Sequence, residues 1–555
     1  MSDAQYYIFR INLPYMAGLL VLHPLLRRVW NAVFPLPSVN GNSPGRPTPQ
    51  MADARLDQRA SFDFSFALLF LVALHGFSAL KVLTILSANY FVATKLPRKH
   101  VPWATWFFNI SILFANELSD GYKFREMARL ISGAQAADIV SDPGVLIRLG
   151  AWMDSYAGIM SRWEILFNIT ILRLISFNLD RYWSYDRGSS SPIEVISHPP
   201  QTCRLRQLRN EVYCADTPKK KQLDPANLSE RDRITIPAPI SDFTFRNYIA
   251  YSIYAPLYLT GPILTFNDYI SQLRYKPASI DKSRTLLYGI RFIFVLLAME
   301  VILHYDYVGA ISKSRPQWSS YTAAQLSLLS YFNLHIIWLK LLIPWRLFRL
   351  WALVDGIDPP ENMVRCVSNN YSPVLFWRAW HRSYNRWLVR YIYVPLGGSD
   401  FRSWAQAVRS VCTYLLVFTF VALWHDIKLR LLIWGWMVVF FMVPEFAARF
   451  LFPAKKWETR QTAYRMLCCV GGVGNVFMMM AANLVGFAVG LDGLESILRG
   501  IFQDFSGKFP GLEFRCPPLR RRSTLELCLL TISSTRYHLL CNGMHNTVCR
   551  YPGDV

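Results

Sequence analysis

Charged side chains are scarce in this chain. Asp, Glu, Lys and Arg together make up 17% of its 555 residues, whereas soluble domains carry about 25%. Aromatic residues reach 15%, and the mean hydropathy is positive. So few charges exclude the three or four soluble domains that this length would otherwise suggest, because such domains need a polar surface. The composition predicts one multi-pass domain that has lipid as its solvent.

Acidic residues are the scarcer sign of charge. The chain has 37 acidic and 59 basic residues, and its net charge is +22. In a soluble protein this excess would indicate nucleic-acid binding. Here the basic residues flank hydrophobic runs, as at 204–209 and 219–221, and the positive-inside rule explains them better. We therefore expect membrane lipids, and no nucleic acid, among the partners.

Cysteine pairs at metal-ligand spacing are missing as well. The ten cysteines show no C-x-x-C or other metal-ligand spacing, so we expect no metal and no bound cofactor. The early apolar stretch after Pro14 lacks a small-residue cleavage site. We therefore expect it to be a retained hydrophobic element rather than a cleaved signal peptide.

Hydrophobic runs near the ~20 residues that cross a bilayer predict an all-α, multi-pass transmembrane fold. A short hydrophobic element at 11–34 and a proline-rich linker form a predicted N-terminal region, 1–60, before the membrane domain, 61–500. A polar, basic loop at 184–240 is predicted to be cytosolic, and 501–555 to be a disordered tail. The predicted spans, two of them candidates for re-entrant segments, lie near 62–92, 103–118, 158–179, 243–264, 286–308, 322–344, 404–424, 429–450 and 466–491.

The most informative stretch is 377–398, WRAWHRSYNRWLVRYIYVPLGG. At about 100° per residue, it predicts one helix with an aromatic side and an arginine side. His381 and Asn385 lie one turn apart on the border between them. Such a helix suits a membrane edge, because aromatic rings settle at headgroup level and guanidinium groups bind phosphate. The aromatic side comprises Trp377, Trp380, Tyr384, Trp387 and Tyr391, and the arginine side Arg378, Arg382, Arg386 and Arg390.

A second histidine ends an apolar run. Residues 411–424 are almost entirely apolar and are followed directly by His425 and Asp426. An ionisable side chain there is costly without a partner or a cavity, so it indicates function. His425 is the candidate general base, and Trp424 beside it is a candidate substrate contact. Neighbouring helical residues point about 100° apart, so Asp426 is expected to cap the helix or form a separate ion pair.

Taken together, these motifs resemble the membrane-bound O-acyltransferase family. The 377–398 pattern is followed, 44 positions after His381, by the histidine of ALWHD, and the stretches 176–183, 255–270 and 355–372 agree with the family. The last stretch, with the run before it, is most similar to the fungal glycerol-uptake subfamily, whose relatives include hedgehog acyltransferase. The resemblance extends from about residue 60 to 500. It implies transmembrane, re-entrant and interfacial helices around a central tunnel.

The resemblance also implies an activity. The family transfers an acyl group from acyl-CoA, as co-substrate, directly to a hydroxyl, and His425 matches its catalytic histidine. His381 and Asn385 would then hold the acyl carbonyl or the acceptor hydroxyl. The subfamily implies the lysophosphatidylinositol moiety of glycosylphosphatidylinositol anchors as acceptor, re-acylated with a long chain in the endoplasmic reticulum membrane. The arginines would bind coenzyme A or acceptor phosphates, with anchoring to anionic headgroups left equally open.

Other functions stay open at this point. The subfamily name records glycerol uptake, so a glycerol/proton transporter or a regulator of uptake is one alternative. We find none of the internal repeats that transporters tend to show. An inactive scaffold is a second alternative, which the presence of His425 disfavours, and a protein acyltransferase of the hedgehog-acyltransferase type is a third. Glu300 and His304, which share a helix face at i and i+4, are further candidate substrate contacts.

Overall fold

The computed structural model describes residues 3–36, 48–133, 144–160, 162–187, 224–314, 316–369, 371–398 and 403–506. Within these ranges the regular structure is helical, apart from one antiparallel bridge between Met363 and Trp380. This confirms the all-α prediction. Most of the predicted basic loop lies outside the described residues, as does most of the predicted tail. The last helix continues to Ser506.

The helices are numbered here in chain order. The first eleven are α1 Ala4–Val33, α2 Pro49–His75, α3 Ser78–Lys95, α4 Val101–Leu118, α5 Phe124–Ser132, α6 Val145–Ser155, α7 Trp163–Ser184, α8 Glu230–Thr235, α9 Phe245–Ser252, α10 Ala255–Tyr258 and α11 Phe266–Arg274. The others are α12 Lys282–Tyr305, α13 Val308–Ser314, α14 Ala323–Asp355, α15 Pro373–Ala379, α16 Arg382–Leu388, α17 Trp404–His425, α18 Leu429–Leu451, α19 Gln461–Phe487 and α20 Gly490–Ser506. Short 3₁₀ turns occur at Arg98–His100, Tyr185–Arg187, Pro225–Asn227, Ile240–Asp242, Trp318–Ser320 and Ala454–Arg460, and a π-turn at Val389–Tyr393.

Six described helices are long and apolar enough to cross a bilayer. They are α1, α12, α14, α17, α18 and the segment that contains α19. The N-terminal element predicted as short is the 30-residue helix α1. The predicted span 62–92 is in fact two helices, because the chain turns at Gly76 with a φ of 53°. There the backbone of residues 76–77 packs on that of Tyr156, and Phe77 N donates to Tyr156 O (3.1 Å).

The predicted span 243–264 is wrong. This stretch forms two short helices, α9 and α10, followed by irregular chain, and nearly all of it is buried inside the protein. Its free carbonyls find a protein partner, since the buried Arg173 donates to Ser252 O (3.0 Å) and Leu257 O (2.6 Å). Hydropathy cannot distinguish burial in protein from burial in lipid, and here the apolar stretch is buried in protein.

The centre of the fold is α7. Its side chains are buried almost all round, and it packs against α3, α4, α9 and α11. Amide groups connect these helices: Asn178 donates to Asn89 Oδ1 (3.0 Å) and Thr105 Oγ1 (3.1 Å). At its end, the buried Asp180 accepts from Arg390 (2.8 Å). The partner of Asp180 is thus an arginine from a distant segment, whereas its neighbour Arg181 donates to Ala93 O (2.7 Å).

A buried ion network fixes α1 to the domain. Arg27 pairs with both Asp63 on α2 and Asp355 at the end of α14, and Arg59 also reaches Asp355 (3.3 Å). His23 lies 3.6 Å from Asp355. The ligand atoms of His23, Asp63 and Asp355 lie within 4.8 Å of one another, which is close enough to hold a cation. The two arginines already supply the opposite charge, so this cluster gives no argument for a metal.

Candidate active site

The histidine segment is not the single helix that its periodicity predicts. Helix α15 ends at Ala379, and α16 begins at Arg382. Between them Trp380 is extended and His381 adopts φ 44° and ψ 51°, in the left-handed region. A non-glycine residue in that region is uncommon and costs free energy, which the surrounding structure must offset. The predicted continuous aromatic and arginine sides are therefore wrong at this break.

The break is held by a second backbone segment. Val364 N donates to Ala379 O (3.3 Å), and Arg382 N donates to Asn362 O (3.1 Å). The buried Asn362 side chain also accepts from Ser383 N (3.2 Å). These bonds replace the intrahelical bonds that would have continued α15. The turn at His381 is thus imposed by a distant part of the chain, which side-chain periodicity does not reveal.

Aromatic rings surround His381. Its imidazole stacks on Trp345 of α14, with centroids 4.4 Å apart and planes at 24°. Tyr384 lies 5.1 Å away and Trp424 lies 6.3 Å away, centre to centre. Asn385 follows one turn later, and its backbone N donates to His381 O (3.0 Å). The predicted one-turn relation of His381 to Asn385 therefore survives the break.

His425 is the last residue of α17. Its ring lies 4.9 Å from Trp424 and 6.2 Å from Trp434 of α18. Asp426 follows as the C-cap residue and pairs with Lys428 instead of with His425. The expectation that Asp426 serves the helix end or a separate ion pair is therefore confirmed.

The two histidines share one aromatic wall. Trp424 contacts both imidazoles, so the sum of its two centroid distances is an upper limit on their separation. His425 is exposed, and the rings of Trp424 and Trp434 lie beside its imidazole.

Two hydrogen-bond donors among the aromatic residues near the histidines have no partner among the described residues. Most polar atoms of the aromatic rings are satisfied: Trp424 Nε1 donates to Asn168 O (2.8 Å), Trp387 Nε1 to Leu172 O (2.9 Å), and Tyr391 Oη bonds Ser176 Oγ (2.7 Å). Tyr384 Oη and Trp377 Nε1 are buried and lack a hydrogen-bond partner among the described residues. Buried polar groups are normally paired, so such orphans suit a bound polar ligand.

The arginines of this segment have acidic neighbours. Glu230 of α8 pairs with both Arg382 (3.3 Å) and Arg386, and Arg390 pairs with Asp180. Arg378 is exposed. An incoming phosphate would therefore share Arg382 and Arg386 with Glu230, or displace it.

Three other candidates lie in different surroundings. Trp380 stacks on Phe376 with centroids 5.3 Å apart. Glu300 accepts a hydrogen bond from Tyr6 of α1 (2.6 Å), and His304 is exposed beside Tyr305. The contacts of Glu300 and His304 thus connect them to α1 and to their own helix, whereas His381, Tyr384 and His425 each contact Trp424.

Comparison with known proteins identifies the family. The model of the membrane-bound O-acyltransferase family matches residues 148–491. The chain is 43% identical to membrane-bound O-acyltransferase GUP1 of Candida tropicalis over 91% of this chain and 74% of the relative. It is 41% identical to GUP1 of Saccharomyces cerevisiae over 91% and 78%. A mouse protein-cysteine N-palmitoyltransferase HHAT is 28% identical over 34% of this chain and 38% of its own length.

The chain belongs to the membrane-bound O-acyltransferase family. It is an acyltransferase and a multi-pass membrane protein. The matched region covers both histidines, the segment around Asn362 and the whole aromatic wall.

Sequence reasoning missed three parts of this acyltransferase site. Trp345, Asn362 and Glu230 come from a helix, a loop and a short helix that are all distant in sequence from His381. Trp345 and Asn362 do lie in stretches that resemble the family, which was the available signal. Glu230 had no such signal, because a single acidic residue in a polar segment predicts only a solvated surface.

Proposed function

We propose that this enzyme transfers a long-chain acyl group from acyl-CoA to a hydroxyl of a lipid acceptor, with His425 as the general base. The observation that supports the proposal is that His381, Tyr384 and His425 all lie beside the Trp424 ring, and that the buried Tyr384 hydroxyl has no partner among the described residues. An alcohol is a weak nucleophile at neutral pH and must lose its proton as it attacks. Histidine suits that task, since its ordinary pKa lies near ~6.5.

The reaction requires a base that accepts a proton and hydrogen-bond donors that stabilise a developing oxyanion. His425 accepts the proton of the acceptor hydroxyl while the hydroxyl oxygen forms a bond to the thioester carbon. The C–S bond then breaks, and the departing thiolate of coenzyme A recovers the proton from His425. The carbonyl oxygen gains negative charge in between, and His381, Asn385 and Tyr384, which lie in one segment, would stabilise it.

The acceptor is proposed on narrower grounds. Resemblance to the fungal subfamily supports the lysophosphatidylinositol moiety of glycosylphosphatidylinositol anchors, at the endoplasmic reticulum membrane. The fungal relatives are named as O-acyltransferases, which supports an O-acyl product. Arg378, Arg382 and Arg386 would meet a phosphate of coenzyme A or of this acceptor, and Trp377 and Trp424 would contact the acyl chain.

A transfer assay tests the proposal. Full-length protein in microsomes receives radiolabelled acyl-CoA and lyso-anchor lipid, and the wild type is compared with His425→Ala. A positioned base contributes about 10²–10⁴ in rate, so we expect a loss of that size. His100→Gln is the matched control, because His100 lies outside the site and bonds the Trp103 indole (3.0 Å).

Three outcomes would contradict the proposal. Normal transfer by His425→Ala would show that His425 is not the general base. Labelled protein without labelled lipid would assign a protein acceptor. Glycerol flux that persists in cells without any acyl transfer would favour transport.

A further inference from the structure

A cavity lies away from the histidines, where the start of α12 meets the end of α14. Its volume is about 360 Å³. Arg284, Tyr288 and Arg291 line it from α12, and Arg349 and Glu361 line it from the side of α14. Residues 284, 288 and 291 are four and three positions apart, so they occupy one face of α12. The cavity is therefore lined by three arginines and one acid.

Arg349 lies at the bottom of this cavity and is held in place by several contacts. It is buried, donates to Asp358 (2.7 Å), Pro359 O (2.8 Å) and Glu361 (3.3 Å), and lies over the Tyr288 ring at 4.8 Å. Its charge is already matched by the two carboxylates. The surplus positive charge of the cavity thus comes from the two arginines of α12.

Arg284 and Arg291 lack acidic partners. Arg284 donates to Ser279 O (2.8 Å), and neither arginine has an ion pair with a described residue. The hydroxyl of Tyr288 is buried close to Arg349 and Glu361, yet it forms no hydrogen bond of acceptable geometry. The side chains of Arg284 and Arg291 and the Tyr288 hydroxyl could therefore bind an anion, and no described residue supplies one.

The position of Arg291 indicates where that anion comes from. It lies nine residues after the start of α12, about 14 Å along the axis at 1.5 Å per residue. Its neighbours Leu287, Ile290 and Phe294 are exposed apolar residues on a helix able to span the membrane. An arginine at such a depth is costly unless it is paired or reaches the headgroup level.

We propose that this cavity binds the headgroup of an anionic phospholipid. Arg284 and Arg291 bind the phosphate in forked geometry, Tyr288 and Glu361 bond headgroup hydroxyls, and the acyl chains lie along the exposed face of α12. This inference goes beyond the acyl-transfer proposal and does not depend on it.

Lipid retention tests the inference without any activity measurement. Full-length protein is reconstituted in nanodiscs of phosphatidylcholine, with and without phosphatidylinositol, and the retained lipids are measured by native mass spectrometry. We expect wild type to retain phosphatidylinositol selectively. Arg291→Gln and Arg284→Gln should each lower that retention about tenfold, because each removes a charge-assisted hydrogen bond. Tyr288→Phe should lower it less.

Arg465→Gln is the matched control, because Arg465 is an exposed arginine near the start of α19 and outside the cavity. It should retain phosphatidylinositol as wild type does. Equal retention of both lipids by wild type, or unchanged retention by the double variant Arg284→Gln/Arg291→Gln, would overturn the proposal. Soluble glycerophosphoinositol and coenzyme A form two further arms. Binding of either one to the cavity without any retained lipid would assign a soluble phosphate and overturn the lipid assignment.

Discussion

The hydroxyl of Tyr384 makes the most discriminating prediction. Tyr384→Phe removes only this oxygen and keeps the ring, which packs on Trp424 at 4.5 Å and on His381 at 5.1 Å. In the protein without substrate the oxygen is buried and unpartnered among the described residues. If it is retained for a bound carbonyl, its removal should affect catalysis and stability in opposite directions.

The two magnitudes follow from different principles. A buried polar group without a partner costs about 1–3 kcal/mol, so Tyr384→Phe should raise the free energy of unfolding by up to that amount. Removing one donor to a developing oxyanion lowers kcat by about 10²–10³. We therefore expect a variant that melts at a higher temperature than wild type and transfers acyl groups far more slowly.

Tyr391→Phe is the matched comparison. The Tyr391 hydroxyl is also buried, but it bonds Ser176 Oγ (2.7 Å). Its loss should lower stability by about 1 kcal/mol and leave kcat close to wild type. Thermal unfolding in detergent and initial rates of acyl transfer, measured on both variants, give the comparison. A Tyr384→Phe enzyme that is less stable and fully active would refute our assignment of this hydroxyl.

The remaining predictions concern charges. Arg27→Ala leaves the buried Asp355 carboxylate short of a partner and should destabilise the protein by about 3–5 kcal/mol, seen as a lower melting temperature; an unchanged value would show that the network does not hold α1. Glu230→Gln keeps the shape of the side chain but removes the negative charge that pairs with Arg382 and Arg386. It should lower the KM for acyl-CoA several-fold with little effect on stability, and a higher KM would mean that Glu230 assists binding.

The sequence predicted the participants of the site better than its shape. His425 was predicted as a candidate because an ionisable side chain at the end of an apolar run is costly without a partner or a cavity. That argument needs no tertiary information. The helix break at His381 could not be predicted in this way. It depends on backbone hydrogen bonds from Asn362 and Val364, which replace local bonds without changing the side-chain pattern.

Membrane spans show the same division. Long apolar helices such as α17 and α18 were predicted within a few residues, since length and hydropathy decide them. The stretch 243–264 is equally apolar but is packed within the protein, where Arg173 serves its free carbonyls. Whether protein or lipid surrounds an apolar segment depends on the rest of the fold, and local composition does not contain that information.

Helix α14 contributes to the candidate active site, to the cavity lined by arginines and to the ion network of Arg27. Trp345 stacks on His381, Arg349 lies at the base of the cavity one turn later, and Asp355 ends the helix in the network with Arg27. Arg349 and Asp355 lie about 6 Å and 15 Å from Trp345 along the helix axis, at 1.5 Å per residue. Because a packed helix moves as a body, a displacement of α14 would move the stacking partner of His381 and the base of the cavity together. The same displacement would also move Asp355 within its network with Arg27, so the three regions are coupled through one helix.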